Sequence, residues 1–540
     1  MKKIGSLLWL VPGLLLLGLL LILSREDPQA SGRSPMEGLG KINAVMELIR
    51  DFYVEDADMG KVVDGAIRGM LDELDPHSNY IPASELKELN EEFQGEFEGI
   101  GIYFQIRDKQ LTVVSAIPGT PSDRLGLSPG DVIVEIDGKS TFGITNEEVQ
   151  RKLKGKGGTK VTIKVRRAGL EEPLSFNIVR EKIPILSVES VFMLDQETGY
   201  LRLNRFMATS DEEMRQAVAK LQALGMQQLI FDLRNNSGGY LEQAQKIADL
   251  FLPGGLVIVS TEGRLPQFGS VLTSTDGDDL PALPLIVLIN QGSASASEIV
   301  AGAIQDHDRG LIAGQTSFGK GLVQRQMEMR DSSAVRLTIA HYYTPSHRLI
   351  QRPYDKGLAA YYEEAWDELD PNMSADTTAA KPVFRTRGGR KVYGGGGITP
   401  DVRIRSGRLT QYVSRLRTQQ VFFDFANHAA TTGPLRQRLE ALGWERFRRG
   451  WEPDDALLKD FVAYVGDKVE WSESQWRQDL RWIQGYLKRE LARVVFGRDP
   501  SLMVDLDMDP AVAEARLLFP EAQRIQHLAN LAGKPSPKLK

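Results

Sequence analysis

Apolar positions along the chain change rhythm several times, and each rhythm predicts a different kind of element. Between Ile4 and Ser24 no charge interrupts the run, and Leu dominates from Leu14 to Leu23. Those 21 positions, as a helix rising about 1.5 Å per residue, match a hydrocarbon core about 30 Å thick. Lys2 and Lys3 precede the run, and Glu26 and Asp27 follow it, which predicts an N-in signal anchor that exports everything downstream. A signal peptide cleaved at Ala30-Ser31-Gly32 is the rival reading of residues 1–24. Residues 25–38 are polar and punctuated by Pro, Gly and Ser, as a linker is. From residue 39 to 95, Ile42, Val45, Met46 and Ile49, then Val62, Val63, Ile67, Met70 and Leu71 recur at helical spacing. Between 96 and 182 the rhythm becomes one of short strands. Asp137-Gly138 supplies a hairpin turn there, and Thr145-Asn146-Glu147-Glu148 is a capping box opening a helix through Val149 and Leu153. Strands and helices alternate from 183 to 405, which predicts an α/β core. Leu229-Ile230-Phe231 and Leu285 to Ile289 read as buried strands, and Leu241, Ala244, Ile247, Ala248 and Phe251 as one face of a helix. Residues 406–540 read as helices. Trp476, Leu480, Ile483 and Leu487 fall on one helical face there, as packed core does.

Composition narrows the chemistry. A length of 540 residues suggests three or four domains, and 42% hydrophobic with 26% charged residues excludes a disordered, collagenous or multi-span chain. The net charge of −6 carries no basic field for nucleic acid. Cysteine is absent, so disulfides, thiol catalysis and cysteine metal sites fall away. Six histidines, none in a His-Glu-x-x-His pattern, leave no metal or other cofactor to expect.

Three lysine-containing patterns compete. Ser84-Glu-Leu-Lys87 and Ser317-Phe-Gly-Lys320 both match Ser-x-x-Lys, without the companion motifs of penicillin-interacting enzymes. The first reads as a surface helix, and the second holds Gly319, a poor helix interior. Gly314 to Gly321 approaches a phosphate-binding loop, but Gly321 stands where a magnesium-binding Ser or Thr is needed. The third pattern is Gly292-Ser-Ala-Ser295-Ala-Ser-Glu298, between a buried strand and a small-residue helix. A serine at such a junction sits beside free backbone N–H groups and the positive end of the helix dipole. Good caps and good packers look the same, so this stretch alone leaves both readings open.

The spacing of further motifs resembles that of the carboxy-terminal processing proteases, also called tail-specific proteases. Ser295 in Gly-Ser-Ala-Ser-Ala-Ser-Glu is followed by Lys320 in Phe318-Gly-Lys-Gly321, and four positions later by Gln324. Leu74-Asp-Pro-His-Ser-Asn-Tyr80, Gly99-Ile-Gly-Ile102, Asp232-Leu-Arg-Asn-Asn-Ser-Gly-Gly239, Tyr342-Tyr-Thr-Pro345 and Gly397-Ile-Thr-Pro-Asp401 occur in the family's order. The likeness covers residues 39–405. It departs at His347, where a small residue is usual, and at 353–393, which look like an inserted loop.

The resemblance implies a multidomain α/β fold: a crotonase/ClpP-like α/β protease core (183–405), an inserted PDZ domain (96–182), N-terminal helices and a C-terminal helical region of unknown role (406–540). It implies Ser295 as nucleophile, Lys320 as general base and Gln324 as its orienting partner. Backbone N–H groups of Ala296 and of Gly238 or Gly239 would form the oxyanion hole. Such a lysine must be buried and free of a close carboxylate, because an exposed amine with a pKa near about 10.4 stays protonated at pH 7. Gln324 can orient the amine without restoring its charge. Gly99, Ile100, Gly101 and Ile102 would bind a peptide's terminal carboxylate, and in the family tails docked on the PDZ domain help to align the catalytic residues. The expected protein is thus an extracytoplasmic, Ser-Lys serine endopeptidase of the bacterial periplasm, held at the inner membrane by its N-terminal segment. Its partners are protein or peptide substrates with apolar C-terminal tails, with an adaptor or self-association left open. The alternative is a catalytically silent PDZ scaffold that binds peptides in the cell envelope.

Overall fold

Leu285-Ile286-Val287-Leu288-Ile289 is apolar at every position because both its faces are covered. In the computed structural model, Leu285, Val287 and Ile289 enter one core cluster, while Ile286 and Leu288 enter another on the opposite side of the same sheet. The structure describes residues 35–167, 169–276, 280, 282–357, 360–361, 381–404, 407 and 409–532. The apolar stretch 4–24, read above as anchor or signal peptide, lies outside these residues, as does most of the linker. Among the described residues no helix is long and apolar enough to cross a membrane.

The chain divides into two compact units between Leu74 and Asp75. The first contains helices Pro35–Phe52 and Met59–Asp72. Asp58 caps the second helix, its carboxylate accepting from Gly60 N and Lys61 N. Leu39, Leu48, Phe52 and Met70 are exposed on these helices.

The second unit is built around a six-stranded sheet in the order Val188–Met193, Thr198–Leu203, Gln228–Asp232, Leu285–Ile289, Leu311–Gly314, Val402–Arg403. The first pair is antiparallel and the others are parallel. Helices Ser210–Ala223, Leu241–Asp249 and Ala296–Asp306 cover one face, with Met214, Ala244, Ile247 and Val300 in a shared core. The opposite face is covered from the far end of the chain. Val512, Ala515, Phe519, Ala522 and Ile525, on helices Pro510–Leu517 and Phe519–Ala532, pack on Tyr200, Ile230, Ile286 and Leu288. The C-terminal region therefore completes the core around the central sheet as well as forming clusters of its own around Phe422, Phe461 and Leu487 and around Phe447 and Leu491. The predicted helical face Trp476–Leu487 is split at Asp479, whose carboxylate accepts from Thr410 N at 2.7 Å, yet its residues still share one cluster.

A second sheet stands beside the core. Strand Ala334–Tyr343 pairs with Asn79–Ile81, Val257–Glu262 and Leu322–Glu328, and the strand Ser270–Thr273 extends it beyond 257–262. The module at 96–182 has its own core of Leu111, Val113, Ile133, Val149, Ile163 and Ile178. Its local signals hold. Asp137 (φ 47°) and Gly138 (φ 74°) turn the hairpin, and Thr145 and Glu148 form the reciprocal cap of helix Asn146–Leu153. Strand Ile102–Arg107 is the edge of this module's sheet, paired only with Gln110–Ala116. Helix Ala83–Gln94 carries Lys87 on its exposed side, facing Glu91, so Ser84-x-x-Lys87 is the surface helix expected.

Candidate active site

The site lies at the C-terminal ends of two neighbouring parallel strands. Strand 228–232 runs into the loop Leu233–Gly239, strand 285–289 into the loop Asn290–Ser295, and the loops are stitched together. Asn290 Oδ1 accepts from Asn235 N at 2.8 Å, Ser293 Oγ donates to Leu233 O, and Asn236 O accepts from Ala294 N and Ser297 Oγ. Gly292 is required where it packs on Asn235, since a Cβ there would lie 2.8 Å from Asn235 Cα. Ser295 is then held at φ 54°, a conformation that an L-residue with a side chain keeps only when its surroundings impose it. Helix Ala296–Asp306 starts immediately afterwards.

Glu298 joins the serine turn to the lysine loop. Its carboxylate is fully buried, with Ser317 Oγ at 2.5 Å and Gly319 N at 2.7 Å donating to Oε1, and Ser295 N at 2.8 Å and Lys320 N at 2.9 Å donating to Oε2. Burial pushes it up to about 7, while the four donors pull the other way. All four partners donate and none accepts, so the cage fits the ionised form. Tyr342 makes a second link: its hydroxyl lies 3.1 Å from Ser295 O and also within reach of the Lys320 carbonyl. Ser317-Phe-Gly-Lys320 is extended loop, with Gly319 at φ 91°, which removes the helical Ser-x-x-Lys reading for that pair.

Lys320 Nζ donates to Gln324 Oε1 at 2.7 Å. Gln324 Nε2 in turn donates to the His77 carbonyl, which fixes the oxygen of the amide toward the lysine. Burial is the main reason that Lys320 is lowered to about 8, and the positive charge of Arg336 adds to it, against Asp75 and Glu298. Among the described residues no carboxylate is within ion-pair distance of Nζ, and no hydrogen bond joins it to Ser295 Oγ. Asp75 is occupied elsewhere. It accepts from His77 N, Ser78 N, Ser78 Oγ and Thr338 Oγ1, forming the turn that presents the His77 carbonyl. His77 itself is driven down to about 4, chiefly by burial, and its Nε2 lies 2.8 Å from Tyr361 Oη.

Of the backbone groups expected to stabilise an oxyanion, Ala296 N and Gly239 N have no hydrogen-bond partner among the described residues. Gly238 is different: its N–H is committed to Asn236 Oδ1 at 2.9 Å. Its role is one of space, since a Cβ on it would lie 2.8 Å from Ser295 Cβ and 2.9 Å from Ala296 N. Gly239, at φ 151°, passes so close to Phe206 O that a Cβ would reach 2.0 Å. The structure thus gathers Ser295, Ala296, Gly238 and Gly239 at one junction, with Lys320 and Gln324 tied to it through Glu298 and Tyr342.

Gly99-Ile100-Gly101-Ile102 lies apart from this cluster, in the 96–182 module. Gly101 turns at φ 78° against Thr120, where a Cβ would meet the side chain at 2.4 Å. Ile100 is buried, and the carbonyls of Ile100 and Gly101 accept from Ser122 N and Ile117 N. Ile102, Phe104 and Ile106 follow on the edge strand and pack against the module's core. Glu298, Tyr342, Asp75 and His77 lie inside the motifs given above, but neither spacing nor periodicity assigns them a role. The usable signal was an acid embedded in an otherwise small and apolar helix start.

The comparisons with known proteins agree with this architecture. The peptidase family S41 model matches residues 197–358, a PDZ domain model 112–167, and the model of the activating protease CtpB N-terminal domain 22–84. A carboxy-terminal-processing protease of Bartonella bacilliformis is 38% identical over 352 residues, covering 64% of this chain and 80% of the relative. A probable CtpA-like serine protease of Staphylococcus aureus is 35% identical over 328 residues, covering 60% of this chain and 64% of the relative. Among solved structures, the photosystem II D1 C-terminal processing protease aligns with 28% identity and a TM-score of 0.32, over 57% of this chain and 89% of that one. The fold is a multidomain α/β arrangement of an S41 protease core, a PDZ domain and helical segments, and the protein is a serine peptidase. It belongs to the carboxy-terminal-processing protease family.

Proposed function

We propose that the chain is an extracytoplasmic endopeptidase that captures apolar C-terminal tails of proteins on its PDZ domain and cleaves peptide bonds by a Ser-Lys mechanism. In this reading Ser295 Oγ attacks the scissile carbonyl and its proton passes to Lys320 Nζ. The carbonyl oxygen, now negative, is met by the N–H groups of Ala296 and Gly239, donors of the kind whose loss typically costs about 10²–10³ in rate. The ammonium of Lys320 then protonates the leaving amine, and the acyl-enzyme forms. Water, deprotonated by the neutral amine, attacks it and releases the second product. Gln324 holds the amine by its amide oxygen without adding charge. The single observation that carries the reading is Lys320 itself, a buried amine with an amide and no carboxylate as its partner.

For the PDZ domain, the unpaired edge of Ile102–Arg107 offers a strand for a tail to extend, and Gly101 keeps the preceding loop tight enough for backbone N–H groups to meet a carboxylate. Docked tails would help to close the Ser295–Lys320 contact. The charge-flanked apolar stretch 4–24 supports a periplasmic location at the inner membrane. The test is to incubate the full-length chain, in mild detergent, with an unfolded reporter protein ending in three apolar residues. Wild type should cleave it, Ser295→Ala and Lys320→Ala should not, and a reporter ending in Asp should be cut more slowly. If wild type cuts no faster than Ser295→Ala, the protein is a peptide-binding scaffold and the proposal fails.

A further inference from the structure

Charged and titratable groups approach Lys320 from three elements besides its own loop: Asp75 and His77 from the turn before strand 79–81, Glu298 from helix 296–306, and Arg336 from strand 334–343. Both carboxylates are saturated by N–H and hydroxyl donors, as described above, and His77 is neutral. Arg336 is not balanced in that way. Its Nη2 donates to the neutral Gln326 Oε1 at 3.0 Å, and its guanidinium lies 6.0 Å from the Phe93 ring centre. Among the described residues it has no carboxylate partner.

The register of the hairpin places this cation. Gln326 is opposite Arg336 and Gln324 is opposite Thr338. Residues two apart on a strand share a face, so Gln324, Gln326, Arg336 and Thr338 point to the same side. Gln324 holds the lysine on that side and Thr338 holds Asp75. Diagonal neighbours across a ladder stand about 7–8 Å apart, within the screening length of about 8 Å at physiological salt. An arginine cannot relieve the repulsion by losing its own proton, whereas a lysine can.

We propose that Arg336 is a positioning residue for the hydrolysis: from the sheet face that carries Gln324, its unpaired cation opposes a second positive charge on Lys320 and keeps that amine available as a base. The proposal rests on the reading of Lys320 as the general base.

The test is the pH dependence of kcat/KM between pH 6 and 10, measured with the full-length chain in mild detergent on the same apolar-tailed reporter. Arg336→Gln is expected to displace the acid limb to higher pH, so that the rate at pH 7 falls about three- to tenfold and recovers near pH 10. Arg336→Lys, which keeps the charge, should restore the limb. An unchanged limb, an equal loss at every pH, or a change in KM alone would overturn the proposal, the last by making Arg336 a substrate contact. A second measurement does not need turnover. An amine-directed acylating reagent is applied across the same pH range, and Lys320 modification is read by mass spectrometry in wild type, Arg336→Met and Arg336→Lys. Lys320 in Arg336→Met should react as a more basic amine, and identical profiles would refute the idea. If Lys320→Ala kept its turnover, the general-base reading would fall, while the acylation profile would still report what Arg336 does to the amine. If Lys320→Ala were inactive and the acylation profiles coincided, only the role of Arg336 would be lost.

Discussion

Replacing the lysine of the site with methionine should abolish turnover and yet make the protein more stable at neutral pH. In the unfolded chain Lys320 titrates near 10.5, and in the native state near 8. The unfolded state therefore binds the proton more strongly. Native stability falls as pH drops from about 10.5 to about 8, and below that the full penalty is present. The difference between those two values, at about 1.36 kcal/mol per pH unit, comes to about 3 kcal/mol. Lys320→Met removes that penalty and keeps most of the buried chain. It also leaves Gln324 Oε1 without its donor, which costs about 1 kcal/mol. A net gain of about 2 kcal/mol at pH 7 corresponds to a core melting transition raised by about 4–8 °C. The assay is calorimetry of wild type and variant at pH 6, 7, 8, 9 and 10. The gain should shrink as pH rises through 8 and vanish near pH 10. A variant less stable than wild type at pH 7, or a gain that does not change with pH, would refute the reasoning.

Glu298→Gln replaces one oxygen of a four-donor cage with an NH₂ group, so at least two of the N–H or hydroxyl donors from Ser295, Ser317, Gly319 and Lys320 face another donor; hydrolysis measured at pH 7 should drop at least 100-fold and the core should lose about 2–4 kcal/mol. Phe519→Ala should cost about 3–5 kcal/mol because its ring fills the second face of the core sheet, and denaturant titration would show an unaltered midpoint if that helix were merely peripheral.

Much of the fold was legible because its signals are local. The all-apolar strand 285–289 could only be a doubly covered one, and Thr145 with Glu148 announced a helix start that the structure repeats atom for atom. Ser295, Lys320 and Gln324 were legible only through the spacing of motifs, since the serine stretch alone reads equally well as a cap. What stayed hidden depends on contacts between distant segments. The Gln324–His77 hydrogen bond spans 247 positions, and no periodicity encodes it. Residues 406–540 read as helices, but nothing local in 510–517 or 519–532 marks the central sheet as what they cover. Gly238 and Gly239 read alike in sequence, and only the position of the Asn236 side chain separates the glycine whose N–H is engaged from the one whose N–H is free.

The late arrival of those two helices sets a timetable for synthesis. Every strand of the core sheet has been made once Arg403 is added, but one side of it stays bare until Phe519 and Ile525 follow. At ribosomal speeds of about 5–20 residues per second, that interval is on the order of 10 s. For that time the nascent protease has its serine and its lysine but an unfinished floor beneath them.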